Sequence, residues 1–253
     1  MPDLDYQPDA AYFATMARHA RTHWWYVGRR ALVQETLRRL DIPPGVALDV
    51  GCGTGDNMDA LALAAGTPVV GTDLSVHALQ HATRGHTLIA LAEGLPVASG
   101  RCGLVASMDV VEHLDDDLVG LREYRRVLVP RGVLLLTVPS YQWLWSEHDV
   151  RAAHRRRYRV RGLVSVVEQA GFEVLHTTYY NSFLVPPAAA LRRTPLRRLV
   201  KATDEEVGNT SPFVSKVMTG LSTAERRVAV RRSVPFGLSI LLVGRRLEFD
   251  RSE

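Results

Sequence analysis

Short apolar runs alternate with amphipathic stretches through the middle of this chain. Residues 46–50, 68–72, 88–91, 103–108, 133–138 and 172–180 read as strands, being short and mostly aliphatic or β-branched. Helical stretches lie between them at 57–65, after Ser75, at 118–128 and at 160–170. Ser75 suits an N-cap, and Gly171 suits the position just past a helix end. Strands alternating with helices predict an α/β fold, a parallel sheet covered on both faces.

The flanks differ. Residues 10–40 read as two helices broken near 22–25, the second carrying Val27, Ala31, Leu32, Leu37 and Leu40 on one stripe. Pro43, Pro44 and Gly45 close it. Towards the other end, Pro186, Pro187 and Pro195 punctuate an arginine-rich segment at 191–201. Residues 212–232 then look helical, and 236–243 read as a last strand.

Length and composition narrow the class without choosing a chemistry. A chain of 253 residues with 46% hydrophobic and 23% charged residues can bury one substantial core. The formal charge of +4 is mild, so a solvated mixed-charge surface is a better reading than a nucleic-acid or membrane footprint. Cys52 and Cys102 lack metal-ligand spacing, and no metal site is read. The acidic start lacks the order of a secretory signal, and no uncharged apolar run reaches the about 18 residues that span a bilayer. A cytoplasmic protein with reduced thiols is expected.

The chemistry concentrates at a strand that runs into glycines. Asp49 ends the strand, Gly51, Gly53 and Gly55 follow, and a helix opens after them. Glycines there allow positive φ and let a ligand press on the backbone, while the helix start offers free N–H groups. The spacing is G-x-G-x-G, unlike the G-x-G-x-x-G of dinucleotide sites. Asp73, at the end of the second strand, stands where an acid can accept from both ribose hydroxyls of a nucleoside ligand.

The run LDVGCGTG at 48–55 resembles motif I of the class I S-adenosylmethionine-dependent methyltransferases, and the chain is similar to their bacterial type 11 group. VGTDLS at 70–75 resembles the ribose-binding motif, and EGLP at 93–96 the segment that lines adenine. SMDVVEH at 107–113 resembles the fourth-strand motif, and 125–139 the helix and strand that follow. The likeness runs from about Trp24 to Tyr180, with the motifs in family order. The family often has an acid where Leu91 stands, a Phe-Asp pair at Cys102-Gly103, and a different turn at Pro130-Arg131-Gly132.

The resemblance implies a Rossmann-like, seven-stranded, mostly parallel sheet with the last strand antiparallel. It implies one methyltransferase domain over 1–253, with a helical cap at 1–44, a cofactor-binding core at 45–180 and a lid, helices and final strand at 181–253. S-adenosyl-L-methionine is the implied cofactor. Its implied contacts are Asp49, Gly51, Gly53, Gly55, Asp73, Leu74, Ala92, Glu93 and Met108, with Arg30 for the methionine carboxylate or else an exposed helix charge.

The acceptor side is less marked. His113 is a candidate general base after the fourth strand, or else braces the next helix. His148, with Asp149 and His154, offers alternatives after the fifth strand. Tyr141, Trp143 and Trp145 would wall an acceptor pocket or pack under a loop. The arginines at 155–161 read as a solvated face or an anion site, and residues 183–201 as a lid or packing helix, or else a peripheral contact with a membrane or lipid-linked acceptor. The expected activity is methyl transfer, to oxygen, of a small-molecule or glycan- or lipid-linked acceptor. A binding protein that keeps the cleft without methyl transfer is the alternative. An NAD-linked oxidoreductase is disfavoured by the glycine spacing, and nucleic-acid modification by the lack of an Asn-Pro-Pro-Tyr-type motif.

Overall fold

The computed structural model describes residues 10–83, 85–193 and 211–248. Two helices, α1 (Ala10–Ala20) and α2 (Trp24–Leu37), lead into β1 (Val46–Val50), α3 (Met58–Ala65), β2 (Val69–Asp73), α4 (Val76–Leu79) and β3 (His86–Ile89). There follow β4 (Cys102–Met108), α5 (Asp117–Val127), β5 (Leu128–Pro139), α6 (Glu147–Arg151), α7 (Val160–Gln169) and β6 (Phe172–Tyr180). The last described elements are α8 (Val185–Arg193), α9 (Pro212–Ala229) and β7 (Ser239–Arg246).

The strands form one seven-stranded sheet in the order β3-β2-β1-β4-β5-β7-β6. β3, β2, β1, β4 and β5 pair in parallel, while β7 runs antiparallel to both β5 and β6. The Rossmann-like architecture expected from the sequence is therefore the one observed.

Side-chain alternation divides the central strands between two cores. Leu134, Leu136 and Val138 of β5 join Leu121 and Tyr124 of α5 and Leu163 and Val167 of α7 on one face. Val133 and Leu135 point the other way, towards Leu32, Val33 and Leu37 of α2, Leu61 of α3 and Ala229 of α9. A strand covered on both faces favours apolar residues at successive positions, which is why 133–136 has no polar alternation; Thr137 is buried but its hydroxyl is bonded to Asp109.

Three boundaries differ from the sequence reading. β3 ends at Ile89, two residues earlier than expected, because Leu91 turns out of the sheet to bridge Gly94. β5 begins at Leu128, and Arg131 takes φ 64° where the β4 register shifts between Cys102 and Leu104. β7 starts at Ser239 because Gly237 is pressed against the Tyr180 backbone, and its carbonyl accepts from Ser140 Oγ at 2.5 Å. Helix α6 was not anticipated, whereas the short α8 falls within the stretch read as a lid or packing helix. The arginine-rich stretch beyond residue 193 lies outside the described residues.

Candidate functional site

The parallel strands β1, β2 and β4 end on the same side of the sheet, and the glycine turn rises from β1. Gly51, Gly53 and Gly55 all have positive φ, at 69°, 54° and 78°. They are not equivalent. A β-carbon on Gly51 would lie 2.2 Å from Val110 Cγ2, so that glycine serves close packing. At Gly53 the nearest atom would be Met16 Cε of α1, at 3.8 Å, leaving room over the backbone for a ligand.

Asp73 braces this turn from the neighbouring strand. Its Oδ2 accepts from the Gly53 amide at 2.8 Å, and its Oδ1 accepts from the Ser75 amide at 2.8 Å. Desolvation raises its pKa, against the lowering effect of those amides. Ser75 also caps α4, its hydroxyl accepting from the Ala78 amide at 3.2 Å, as expected.

Asp49 lies directly under the turn and is 0% exposed. Neither of its carboxylate oxygens has a hydrogen-bond partner. Burial pushes its pKa up to about 7, only partly opposed by Arg29. Asp49 makes no hydrogen bond to the turn, whose Gly53 amide donates to Asp73 instead. An orphaned buried carboxylate of this kind favours a cationic or hydrogen-bond-donating partner.

Of the other expected cofactor residues, Ala92 and Met108 are buried, Glu93 is half-buried and Leu74 is exposed. Arg30 reaches the carbonyls of Ala20 at 3.2 Å and Asp56 at 3.4 Å, linking α1 to the start of the helix after the turn. Its neighbour Arg29, which the sequence reading passed over, forms an ion pair with Asp109 just past β4. The two arginines differ by one helical step, which swings a side chain roughly 100° around the axis. Apolar periodicity alone could not say which of them faces the sheet.

Past Asp109 the chain makes a one-turn 3-10 helix, Val111–His113. Glu112 is 0% exposed, and both of its carboxylate oxygens lack partners. Burial, then the Asp109 charge, raises its pKa well above the ordinary value. Close packing around the His113 ring, and secondarily His154, lowers the His113 pKa to about 4. The His113 and His154 rings meet edge-on, with centroids 4.8 Å apart.

The loop after β5 completes this region. His154 Nδ1 lies 2.8 Å from Asp149 Oδ1, and Asp149 also accepts from Arg157 Nε at 2.7 Å and Nη2 at 2.9 Å. Burial alone would raise the Asp149 pKa, but the bonds from His154 and Arg157 overrule it and hold the carboxyl well below its usual range. His148, on exposed α6, brings its ring within 5.9 Å of His154. The structure therefore brings His113 to the group formed by His148, Asp149 and His154, which follows it by 35–41 residues in the chain.

Other candidates have partners within the chain. Arg155 and Arg156 pair with Asp115 and Asp117, each at 3.1 Å, so much of the arginine cluster is bonded to the 115–117 loop. Tyr141 stacks on Tyr179 of β6 at 5.2 Å, with Trp143 tilted against it at 5.8 Å. Trp145 is half-buried.

Known proteins resemble this chain in sequence or in fold. A "Probable S-adenosylmethionine-dependent methyltransferase" of Mycolicibacterium smegmatis is 28% identical over 167 residues, 62% of this chain and 63% of that protein. The matched stretch thus spans less than two thirds of that relative's length. The malonyl-[acyl-carrier protein] O-methyltransferase of Enterobacter lignolyticus is 30% identical over 181 residues, covering 64% of this chain and 67% of its own. Among solved structures, phosphoethanolamine N-methyltransferase 2 of Haemonchus contortus, in complex with phosphomonomethylethanolamine and S-adenosylhomocysteine, superposes with a TM-score of 0.60. It is 15% identical, over 95% of this chain and 59% of that one, which bears on the fold alone. Residues 16–177 match the family model described as a methyltransferase domain, from α1 through the glycine turn and the Glu112–His113 segment into β6, and the chain belongs to that family.

Proposed function

We propose that the chain transfers a methyl group from S-adenosylmethionine to an oxygen of a small-molecule or glycan- or lipid-linked acceptor. The cofactor is S-adenosylmethionine, and the observation that carries the assignment is the pair of acids at the glycine turn. Asp73 sits beside an open Gly53, and Asp49 holds two orphaned oxygens beneath it. These groups fit a ligand that has ribose hydroxyls and a cationic amino-acid end.

The backbone of Gly51, Gly53 and Gly55 would hold that end, with Asp49 below and Arg30 at the rim. Asp73 and Leu74 would hold the ribose, and Ala92, Glu93 and Met108 would line the base. Bound there, the cofactor supplies a methyl carbon activated by a positively charged sulfur. The chain's own work is then to position the acceptor in line and exclude water.

Oxygen as the acceptor atom is favoured by what stands next to the cleft. An alcohol must lose a proton, and His113 and His148 stand on that side with His154 and two buried carboxyls. A His113 ring with its pKa lowered to about 4 is neutral at pH 7 and can accept a hydrogen bond there. The O-methyltransferase name of one relative agrees with this reading, although the Haemonchus enzyme is an N-methyltransferase by name.

Calorimetry with S-adenosylmethionine, and with NAD as control, tests the first half. Micromolar or tighter binding that weakens at least ten-fold in Asp73→Ala is expected; binding of NAD alone would defeat the reading. Mass spectrometry of cell extracts incubated with the protein and a labelled methyl donor tests the second half. A labelled methyl ether or ester is expected. Label appearing only on nitrogen or carbon would overturn the oxygen assignment, and no labelled product at all would favour a binding protein.

A further inference from the structure

Glu112 is the one residue of the acceptor side whose burial nothing yet explains. Both of its oxygens are enclosed without a hydrogen-bond partner, a costly arrangement unless something else satisfies them. The neighbouring carboxylates are already compensated. Asp149 is held by Arg157 at 2.7 and 2.9 Å, and Asp109 by Arg29. The buried carboxyl here whose oxygens have no hydrogen-bond partner is therefore Glu112.

The two imidazoles beside it are arranged as ligands would be. One ring nitrogen of His113, one of His154 and one oxygen of Glu112 all lie within 4.8 Å of one another. His154 Nε2 stands 4.0 Å from Glu112 Oε1, too long for a hydrogen bond. Its other nitrogen, Nδ1, meets Asp149 at 2.8 Å, which assigns the proton to Nδ1 and turns the Nε2 lone pair towards Glu112. A carboxylate behind a histidine is the usual outer support of a metal-bound imidazole.

We propose that Glu112, His113 and His154 bind one divalent transition-metal ion, of the zinc, manganese or iron(II) kind, at the carboxyl end of β4. Two imidazoles and one carboxylate select that group over magnesium or calcium, which prefer all-oxygen sites. Ligand atoms about 2.1 Å from a tetrahedral ion sit roughly 3.4 Å apart, so the present separations, 4.8 Å at most, close by about 1.4 Å at most on binding. Side-chain rotation at His113 would supply that movement.

Three protein ligands leave at least one coordination position for water or a substrate oxygen. In the methyl-transfer reading this changes the role of His113. It serves as a ligand, and ionisation of the acceptor oxygen falls to the ion rather than to a general base. The cation site itself does not depend on that reading, since it rests on the geometry of the free protein.

The test uses the full chain, stripped by dialysis against a chelator and returned to buffer. Cobalt(II) serves as the spectroscopic probe and zinc as the competitor, with calorimetry for stoichiometry. One ion per chain is expected, with visible cobalt absorption that zinc removes. Glu112→Gln, His113→Ala and His154→Ala should each weaken binding ten-fold or more, whereas His86→Ala on the exposed edge strand should not. Should Glu112→Gln fail to fold, His113→Ala decides, with its melting temperature as the check. Absence of cobalt or zinc uptake by the wild-type chain overturns the proposal. So does unchanged binding in His113→Ala, or equal loss in His86→Ala. S-adenosylmethionine affinity measured on the stripped chain separates this result from the cofactor assignment.

Discussion

Arg29 of α2 and Asp109 at the end of β4 form an ion pair that ties the helices before the sheet to the strand ends where the glycine turn opens. Asp109 is fixed from two further directions. Its amide donates to the Thr137 carbonyl at 2.8 Å, and its Oδ1 accepts from Thr137 Oγ1 at 3.1 Å. Its backbone is held at φ 57°, an uncommon setting for a residue with a side chain. Burial alone would lower the Arg29 pKa, yet Asp109 and its neighbours raise it, so the guanidinium stays charged.

Arg29→Ala is expected to destabilise the fold by about 2–3 kcal/mol at pH 7. The lower end of the buried-pair range applies because Asp109 retains 32% side-chain exposure. Urea unfolding checks it, and a midpoint unchanged within error would show that the pair contributes nothing.

Asp49 predicts a pH dependence with a definite sign. Its folded pKa is raised from an ordinary 3.8 to about 7, so between these values the folded chain holds a proton that the unfolded chain has released. Stability from this group is present below about pH 4 and is lost as pH rises towards 7, by as much as about 4 kcal/mol. Asp49→Asn cannot ionise, so its stability advantage over wild type should grow across that window and level off above it. Parallel stability curves for the two proteins would contradict this. Asn would also weaken cofactor binding, since it removes the charge offered to a cationic ligand.

The glycines of the turn predict two different failures. Gly51→Ala adds a methyl into Val110 at a positive φ, and a loss of about 3 kcal/mol is expected from strain plus overpacking. Val110→Ala in the same chain should restore part of it. Gly53→Ala meets no close atom, so the loss is the left-handed cost alone, about 1–2 kcal/mol. Its main effect should appear in S-adenosylmethionine affinity, ten-fold or more, because the methyl occupies ligand space. Similar affinities for wild type and Gly53→Ala would remove Gly53 from the binding surface.

Much of this arrangement is legible along the chain because it is local. The β1 run, its glycines and Asp73 occupy a short stretch whose backbone needs dictate residue types, and Ser75 caps the helix it was expected to cap. What escapes reading are partnerships across long separations. Arg29 and Asp109 look like ordinary surface charges until α2 is laid on the sheet. Glu112 reads as part of a helix start, and only the return of the loop after β5 brings His154 to it. The partner of the Gly53 amide likewise comes from another strand, at Asp73. The strand ends slipped where packing against distant backbone, as at Gly237 with Tyr180, overrode the apolar pattern.

The antiparallel β7 also dictates an order of assembly. It seats between β5 and β6, although the chain makes α8 and α9 in the interval after β6. Among the described residues β6 pairs with no other strand. During synthesis β5 and β6 therefore stand as open edges, each with an unfilled row of backbone donors and acceptors, until β7 arrives. α9 lies over this junction, with His176 of β6 meeting the Ala229 carbonyl at 2.8 Å and the Asn181 amide donating to Glu225 at 2.6 Å. In the growing chain the long helix can cover β6 before its partner strand exists, so that a face is shielded while an edge still waits.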